Sequence, residues 1–294
     1  MRPNIKMGPN ATVPRQVNQA ERTARNAATS KWIAWLARLG YAVRGIVYLL
    51  IGGLAAKLAI GQGGAVTDQR GAIHVISDQP FGKFLLVIVG IGLIGYALWS
   101  FIQALFDTEG NGNNAKGILS RLGYAAVGVT YALLAFGTLK LATGTGNVGQ
   151  SSTASTQDWT ARLLQLPFGV PLLVIVGLVV LGLALYLYYS QAYKASFQKR
   201  LDLPKLRVQV RKGIIFLGRL GYAALGVVFT IIGIFLIVAA LTHNPREAKG
   251  LDSALAELLH QPFGPLLLGI VALGLIAYGV YSFVEARYHH IASS

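Results

Sequence analysis

A chain of 294 residues that is 54% hydrophobic and only 13% charged departs from soluble domains, in which about a quarter of residues carry charge, and its mean hydropathy is +0.54. It has no cysteine, which excludes disulfides, thiolate metal sites, iron–sulfur clusters and cysteine nucleophiles. The net charge of +15 would suit nucleic acid, but Lys and Arg crowd beside long apolar runs, so membrane lipid is the expected partner and nucleic acid is not.

Residues 1–30 are polar and lack the apolar stretch of a signal peptide; they read as a disordered tail. Arg-Leu-Gly-Tyr at 38–41 then opens an apolar run, and the same tetrapeptide returns at 121–124 and 219–222. Pro-Phe-Gly follows each copy, at 80–82, 167–169 and 262–264, and opens a second apolar run. About 20 residues span a bilayer core as a helix. Six spans are therefore expected, at roughly 39–60, 84–106, 122–141, 170–189, 220–241 and 265–284. The first is weakest, because Arg44 and Lys57 interrupt it; its counterparts in the other copies, where Val127 and Leu225 replace Arg44, support it. The expected fold is an all-α membrane protein of three parallel helix–loop–helix repeats with pseudo-threefold symmetry, at 31–110, 111–200 and 201–294.

Between the paired spans lie segments too short to cross, at 71–77, 157–165 and 252–259, with Thr156 and Asp252 as candidate N-caps. They read as amphipathic helices lying along the interface. Pro suits the first helical turn that follows, and Phe the interfacial level. Lys and Arg number 18 on the side of the termini and seven on the Pro-Phe-Gly side, which places both termini in the cytoplasm of a multi-pass plasma-membrane protein.

Two seven-residue series run through the spans. Gly45, Gly52, Gly128, Ala135, Gly226 and Gly233 follow the motif arginines. Gly90, Ala97, Gly177, Ala184, Ala272 and Gly279 follow the prolines. Seven residues make two turns, so each series marks one face, and small residues there let helices approach closely. Tyr41 and Tyr48 recur as Tyr124 and Tyr131, then as Tyr222 and Phe229. Arg44 sits between the first two in helical register. It could face aromatic rings or a ligand, but since no other copy keeps it, snorkelling to lipid phosphates is the expectation. Arg38, Arg121 and Arg219 occupy one aligned position; with Arg44 they are the candidate anion or lipid-headgroup contacts. If that face turns inward, their acceptors would be Glu285 for Arg219, Gln103 for Arg38, and helix-end carbonyls.

The motifs Arg-Leu-Gly-Tyr-Ala and Pro-Phe-Gly and the run Gly-Leu-Ile-Gly-Tyr-Ala-Leu-Trp at 92–99 resemble the bacterial membrane family catalogued as domain of unknown function 1206. The resemblance covers Leu36 to about Tyr288 and implies a six-span prokaryotic membrane protein, without implying an activity. The second copy departs from it, with Val179, Leu183 and Tyr186 where Gly92, Tyr96 and Trp99 stand in the first. No P-loop, Gly-x-Ser-x-Gly or His-Glu-x-x-His pattern occurs, and no acid–base or nucleophile–base pair lies in a span, so no catalytic, cofactor or metal residue is assigned. The expected role is a non-enzymatic scaffold that binds lipid, a membrane-protein partner or a second copy. The alternative is a channel or carrier for a small solute or ion along the pseudo-threefold axis.

Overall fold

The computed structural model describes residues 31–106, 115–201 and 207–288; the tail at 1–30 lies outside them. Six of its helices are long and apolar enough to cross a membrane. The first unit contains α1 (Lys31–Ala59), the short α2 (Gln69–Ser77) and α3 (Gly82–Phe106). The second contains α4 (Ala115–Thr143), α5 (Ser152–Leu164) and α6 (Gly169–Tyr186), which runs on as a π-helical stretch over Leu187–Tyr193. After a 3₁₀ turn at Ser196–Arg200, the third contains α7 (Val208–Leu241), α8 (Leu251–Leu259) and α9 (Gly264–Tyr288).

The first helix of each unit starts well before its apolar run does, so Arg38, Arg121 and Arg219 lie inside helices rather than at their starts. Hydropathy marks where hydrocarbon begins, whereas a helix continues for as long as its residues tolerate helical backbone, and Lys, Arg and Ala do so readily. The π stretch of α6 contains Gln191, which stands where the small Ala104 and Ala286 stand in the other units. Its side chain is buried, with the amide nitrogen donating to the Tyr186 hydroxyl at 2.8 Å.

Across the molecule the spans stand in the order α4, α3, α1, α9, α7, α6, each packed on the next. The small-residue faces make the contacts between units. A Cβ placed on Gly45 would lie 2.9 Å from the Gly279 carbonyl oxygen, and one on Gly279 would lie 2.9 Å from that of Gly45. Gly52 meets the Ala272 carbonyl, Gly128 the Phe101 ring, Gly226 the Tyr188 ring and Gly233 Leu181, while Ala135 is buried. A different set holds the two helices of one unit together: Gly40 on Tyr96, Gly92 on Val43, Gly221 on Tyr278 and Gly274 on Ala224. These contacts exist in the first and third units. In the second, Gly123 and Gly182 face open space, and α4 and α6 do not pack along one another.

The Pro-Phe-Gly turns also have a steric basis. Gly82, Gly169 and Gly264 each pass so near a carbonyl of the preceding short helix that a Cβ would lie 2.0, 2.0 and 2.2 Å from it. Only glycine fits that crossing. The three phenylalanines are exposed, and Phe81 and Phe263 adopt left-handed backbone at φ 62°.

α2, α5 and α8 interlock into a cap over the Pro-Phe-Gly side. Asp68 caps α2 by accepting from Gly71 N (2.9 Å) and also accepts from Ser152 N (2.5 Å) at the start of α5. Asp252 Oδ1 accepts from Thr153 N (3.1 Å), Thr153 Oγ1 (2.5 Å) and Ser152 Oγ (2.8 Å). Arg70 donates to Ser151 O and Ser155 Oγ. The caps thus differ from the sequence expectation: Ser151, not Thr156, caps α5, and Gly250, not Asp252, precedes α8. Asp252 instead serves the neighbouring helix, whose first N–H groups need an acceptor.

Burial disfavours the Asp252 carboxylate, but hydrogen bonds from Thr153 and Ser152 outweigh it and hold its pKa below the ordinary value. A depressed folded-state pKa means that this stabilisation is complete above the unfolded pKa, about 4, and is lost as pH falls through the lower folded-state value. Protection of the Thr153 amide against hydrogen exchange, relative to its intrinsic rate at each pH, should be flat above about pH 5 and decline in acid, and Asp252→Asn should flatten that decline.

Candidate functional site

The strongest concentration of polar chemistry within the spans centres on Arg44. Gly45 and Gly279 bring the α1 and α9 backbones close, and residues adjacent to that crossing reach across it. Arg44 is 6% exposed, and each of its guanidinium nitrogens is engaged. Nε donates to Ser282 Oγ (3.2 Å), Nη1 to the Tyr96 hydroxyl (2.6 Å), and Nη2 forms an ion pair with Glu285. The second Glu285 oxygen accepts from the Tyr281 hydroxyl (3.2 Å), and Ser282 Oγ donates to the Tyr278 carbonyl (2.9 Å). Tyr278, Tyr281, Ser282 and Glu285 share one face of α9 because their spacings of three, four and seven residues suit helical register.

Aromatic rings wall the cation. The guanidinium carbon lies 4.9, 5.1 and 5.2 Å from the ring centroids of Tyr41, Tyr96 and Tyr278, within cation–π range. The rings continue edge to face around the interior, from Tyr131 to Tyr96 (4.6 Å), Tyr48 to Tyr278 (4.9 Å) and Tyr278 to Tyr222 (5.5 Å). Trp99 Nε1 donates to the Tyr41 hydroxyl (3.2 Å). Five helices thus supply rings, while α6 has Leu183 at the position of Tyr96 and Tyr278. On the side of the termini, Phe197 from the connection between the second and third units is fully buried, 5.5 Å from Tyr222 and 5.0 Å from Tyr281 by ring centroids.

Arg44 therefore does not snorkel to the headgroups. Extending it outward would leave Glu285 charged and unpaired in an apolar interior, which costs more than the local pairing does. Glu285 pairs with Arg44, not with Arg219. The three motif arginines do not turn inward as a ring either: Arg38 and Arg219 are exposed and Arg121 is half-buried. Arg121 donates to the carbonyls of Ala104 (2.6 Å) and Leu105 (2.8 Å) at the end of α3, and Arg219 to Tyr193 O (3.2 Å) beyond α6. Each ties the last turn of the preceding unit, where carbonyls lack helical partners and carry the negative end of the dipole. Gln103 is buried.

Sequence reasoning missed the Arg44–Glu285 pair because it sought partners within a unit. A signal was present. The series through Gly45 and the series through Gly279 mark the two faces that meet when the third unit closes on the first, and Arg44 and Glu285 flank them.

The family model for Domain of Unknown Function (DUF1206) matches the chain three times, at residues 39–107, 122–194 and 220–289. The uncharacterized protein YxxB of Bacillus subtilis (strain 168) is 39% identical over 263 residues, covering 90% of this chain and 94% of the relative. No solved structure matches.

Proposed function

This chain belongs to the Domain of Unknown Function (DUF1206) family, and from that premise we propose that it is a non-enzymatic membrane scaffold that binds lipid or a membrane partner. The observation that carries the reading is the pairing of Arg44 with Glu285, the charged side chains buried in the spans among the described residues. Every guanidinium nitrogen of Arg44 bonds to α3 or α9, so the network ties helices together. The cap of α2, α5 and α8 covers one end of the bundle, and Phe197 packs between Tyr222 and Tyr281 towards the other. A conduit needs polar groups facing a continuous path. The basic residues elsewhere line the membrane edge, which suits lipid phosphates better than nucleic acid.

Two measurements test this reading. Purified protein in liposomes should release potassium, chloride or a small fluorescent solute no faster than protein-free vesicles; protein-dependent release that vanishes in Arg44→Gln would establish the carrier alternative instead. The excess of basic residues beside the termini supports a cytoplasmic location for both, and on that reading a C-terminal alkaline phosphatase fusion should be inactive and a fluorescent-protein fusion bright.

A further inference from the structure

We infer that the cap carries a sugar-binding site on its middle helix, α5. This goes beyond the scaffold reading, which assigns the cap no ligand. A cavity of about 170 Å³ opens beside α5, lined by Gln150, Ser155, Asp158, Trp159 and Arg162. Ser155, Trp159 and Arg162 share one helix face, at spacings of four and three residues, and Asp158 borders it. Arg70 of α2 fixes the wall at the start of α5 by donating to Gln150 O, Ser151 O and Ser155 Oγ.

The repeat supplies an internal comparison. Counted back from each Pro-Phe-Gly, Trp159 stands where Ala72 and Ala254 stand, Asp158 where Gly71 and Ser253 stand, and Arg162 where Val75 and Glu257 stand. Ala72 and Ala254 are fully buried, whereas Trp159 is 65% exposed. Packing of the cap does not call for an indole there, because two units close the same position with a methyl group. Asp158 and Arg162 are four residues apart, with the acid first, the order and spacing at which opposite charges on a helix pair. They do not pair. The Arg162 guanidinium lies over the Trp159 ring instead, 5.7 Å from its centroid, and neither charged side chain has an ion-pair or hydrogen-bond partner among the described residues.

These groups select the ligand. Asp158 repels a simple anion, and Arg162 repels a simple cation. An acyl chain would strip water from both charges and replace none of its hydrogen bonds. A zwitterionic lipid headgroup matches the charges but has no flat face for the indole. A pyranose ring meets every requirement: hydroxyls on its edge donate to the Asp158 carboxylate and accept from the Arg162 guanidinium and the Gln150 amide, while the C–H groups of its face lie against the indole. The volume suits one ring, since pockets for drug-sized ligands begin at roughly 300 Å³. On the topology that the basic residues support, this end faces outward, where the ring would belong to a surface glycan.

The test is saturation-transfer difference NMR on the full chain in phosphatidylglycerol nanodiscs, which introduce no sugar-headed detergent. The probes are methyl β-D-glucopyranoside, its 2-acetamido counterpart, and glycerophosphoethanolamine, which stands for a zwitterionic headgroup. At least one glycoside should receive saturation, concentrated on its ring C–H protons, and glycerophosphoethanolamine none. Trp159→Ala should abolish the signal, and Asp158→Asn should weaken the apparent affinity about tenfold, because a hydrogen bond to a charged group is lost. Trp35→Ala, which removes an exposed indole on the side of the termini, should leave it intact. If Trp159→Ala fails to fold, Arg162→Ala replaces it, with loss of the signal again expected. No transfer to either glycoside, transfer that Trp159→Ala leaves unchanged, or transfer to glycerophosphoethanolamine in place of the glycosides would overturn the proposal, the last by making the cluster a headgroup contact. Solute release from liposomes would refute the scaffold reading and leave the glycoside signal in place, so the two failures are distinguishable.

Discussion

Glu285→Ala should lower the unfolding free energy by about 3–5 kcal/mol, because it leaves the Arg44 guanidinium charged, buried and without its carboxylate. Thermal unfolding of detergent-purified protein, followed by tryptophan fluorescence, would show the loss as a large fall in Tm. Arg44→Ala should cost a similar amount by stranding Glu285. The double variant Arg44→Met with Glu285→Leu should lose far less than either single change, since no unpaired charge remains and apolar side chains fill the space. This non-additivity separates a desolvated pair from two independent contacts. The ion pair of Lys249 with Glu257 provides the contrast. It lies at the surface of the cap, partly exposed, and Glu257→Ala should cost under about 1 kcal/mol. Single variants of Arg44 and Glu285 with near wild-type stability would show that the network does not hold the first and third units together.

The second large effect concerns glycines that look equivalent in the repeat. Gly279→Leu places side-chain atoms against the Gly45 carbonyl and the Leu49 backbone nitrogen, each 2.9 Å from the first added carbon. Backbone on both sides cannot turn aside, so overpacking should cost at least about 1–3 kcal/mol. Gly123→Leu meets nothing within 4 Å and exchanges glycine for a good helix former, which favours the helix by up to about 1 kcal/mol. Gly128→Leu and Gly226→Leu should fall between these, because each faces an aromatic ring, Phe101 or Tyr188, rather than a carbonyl. The same unfolding assay ranks all four. A Gly123→Leu variant as damaged as Gly279→Leu would mean that the second unit closes like the others.

The amino-acid sequence by itself determined the number of spans, their pairing into three parallel units, the short helix before each Pro-Phe-Gly and the small-residue faces. Each of these follows from a local period or from a motif repeated three times, and local physics decides it: about 20 apolar residues must cross as a helix, and a seven-residue period must lie on one face. Helix ends were less legible, since Arg38, Arg121 and Arg219 continue helices past the point where hydropathy stops. The site depended on which face meets which. Arg44 and Glu285 are 241 residues apart, and only closure of the third unit on the first makes them neighbours. The open second unit was foreshadowed by Val179 and Leu183, yet their consequence was decided in three dimensions: a glycine needs a matching ring on the opposing helix, and Gly123 has no counterpart to Tyr96 or Tyr278. Close packing between helices depends on both surfaces at once, so one strand of sequence can nominate a contact face, but the assembled bundle determines its occupant.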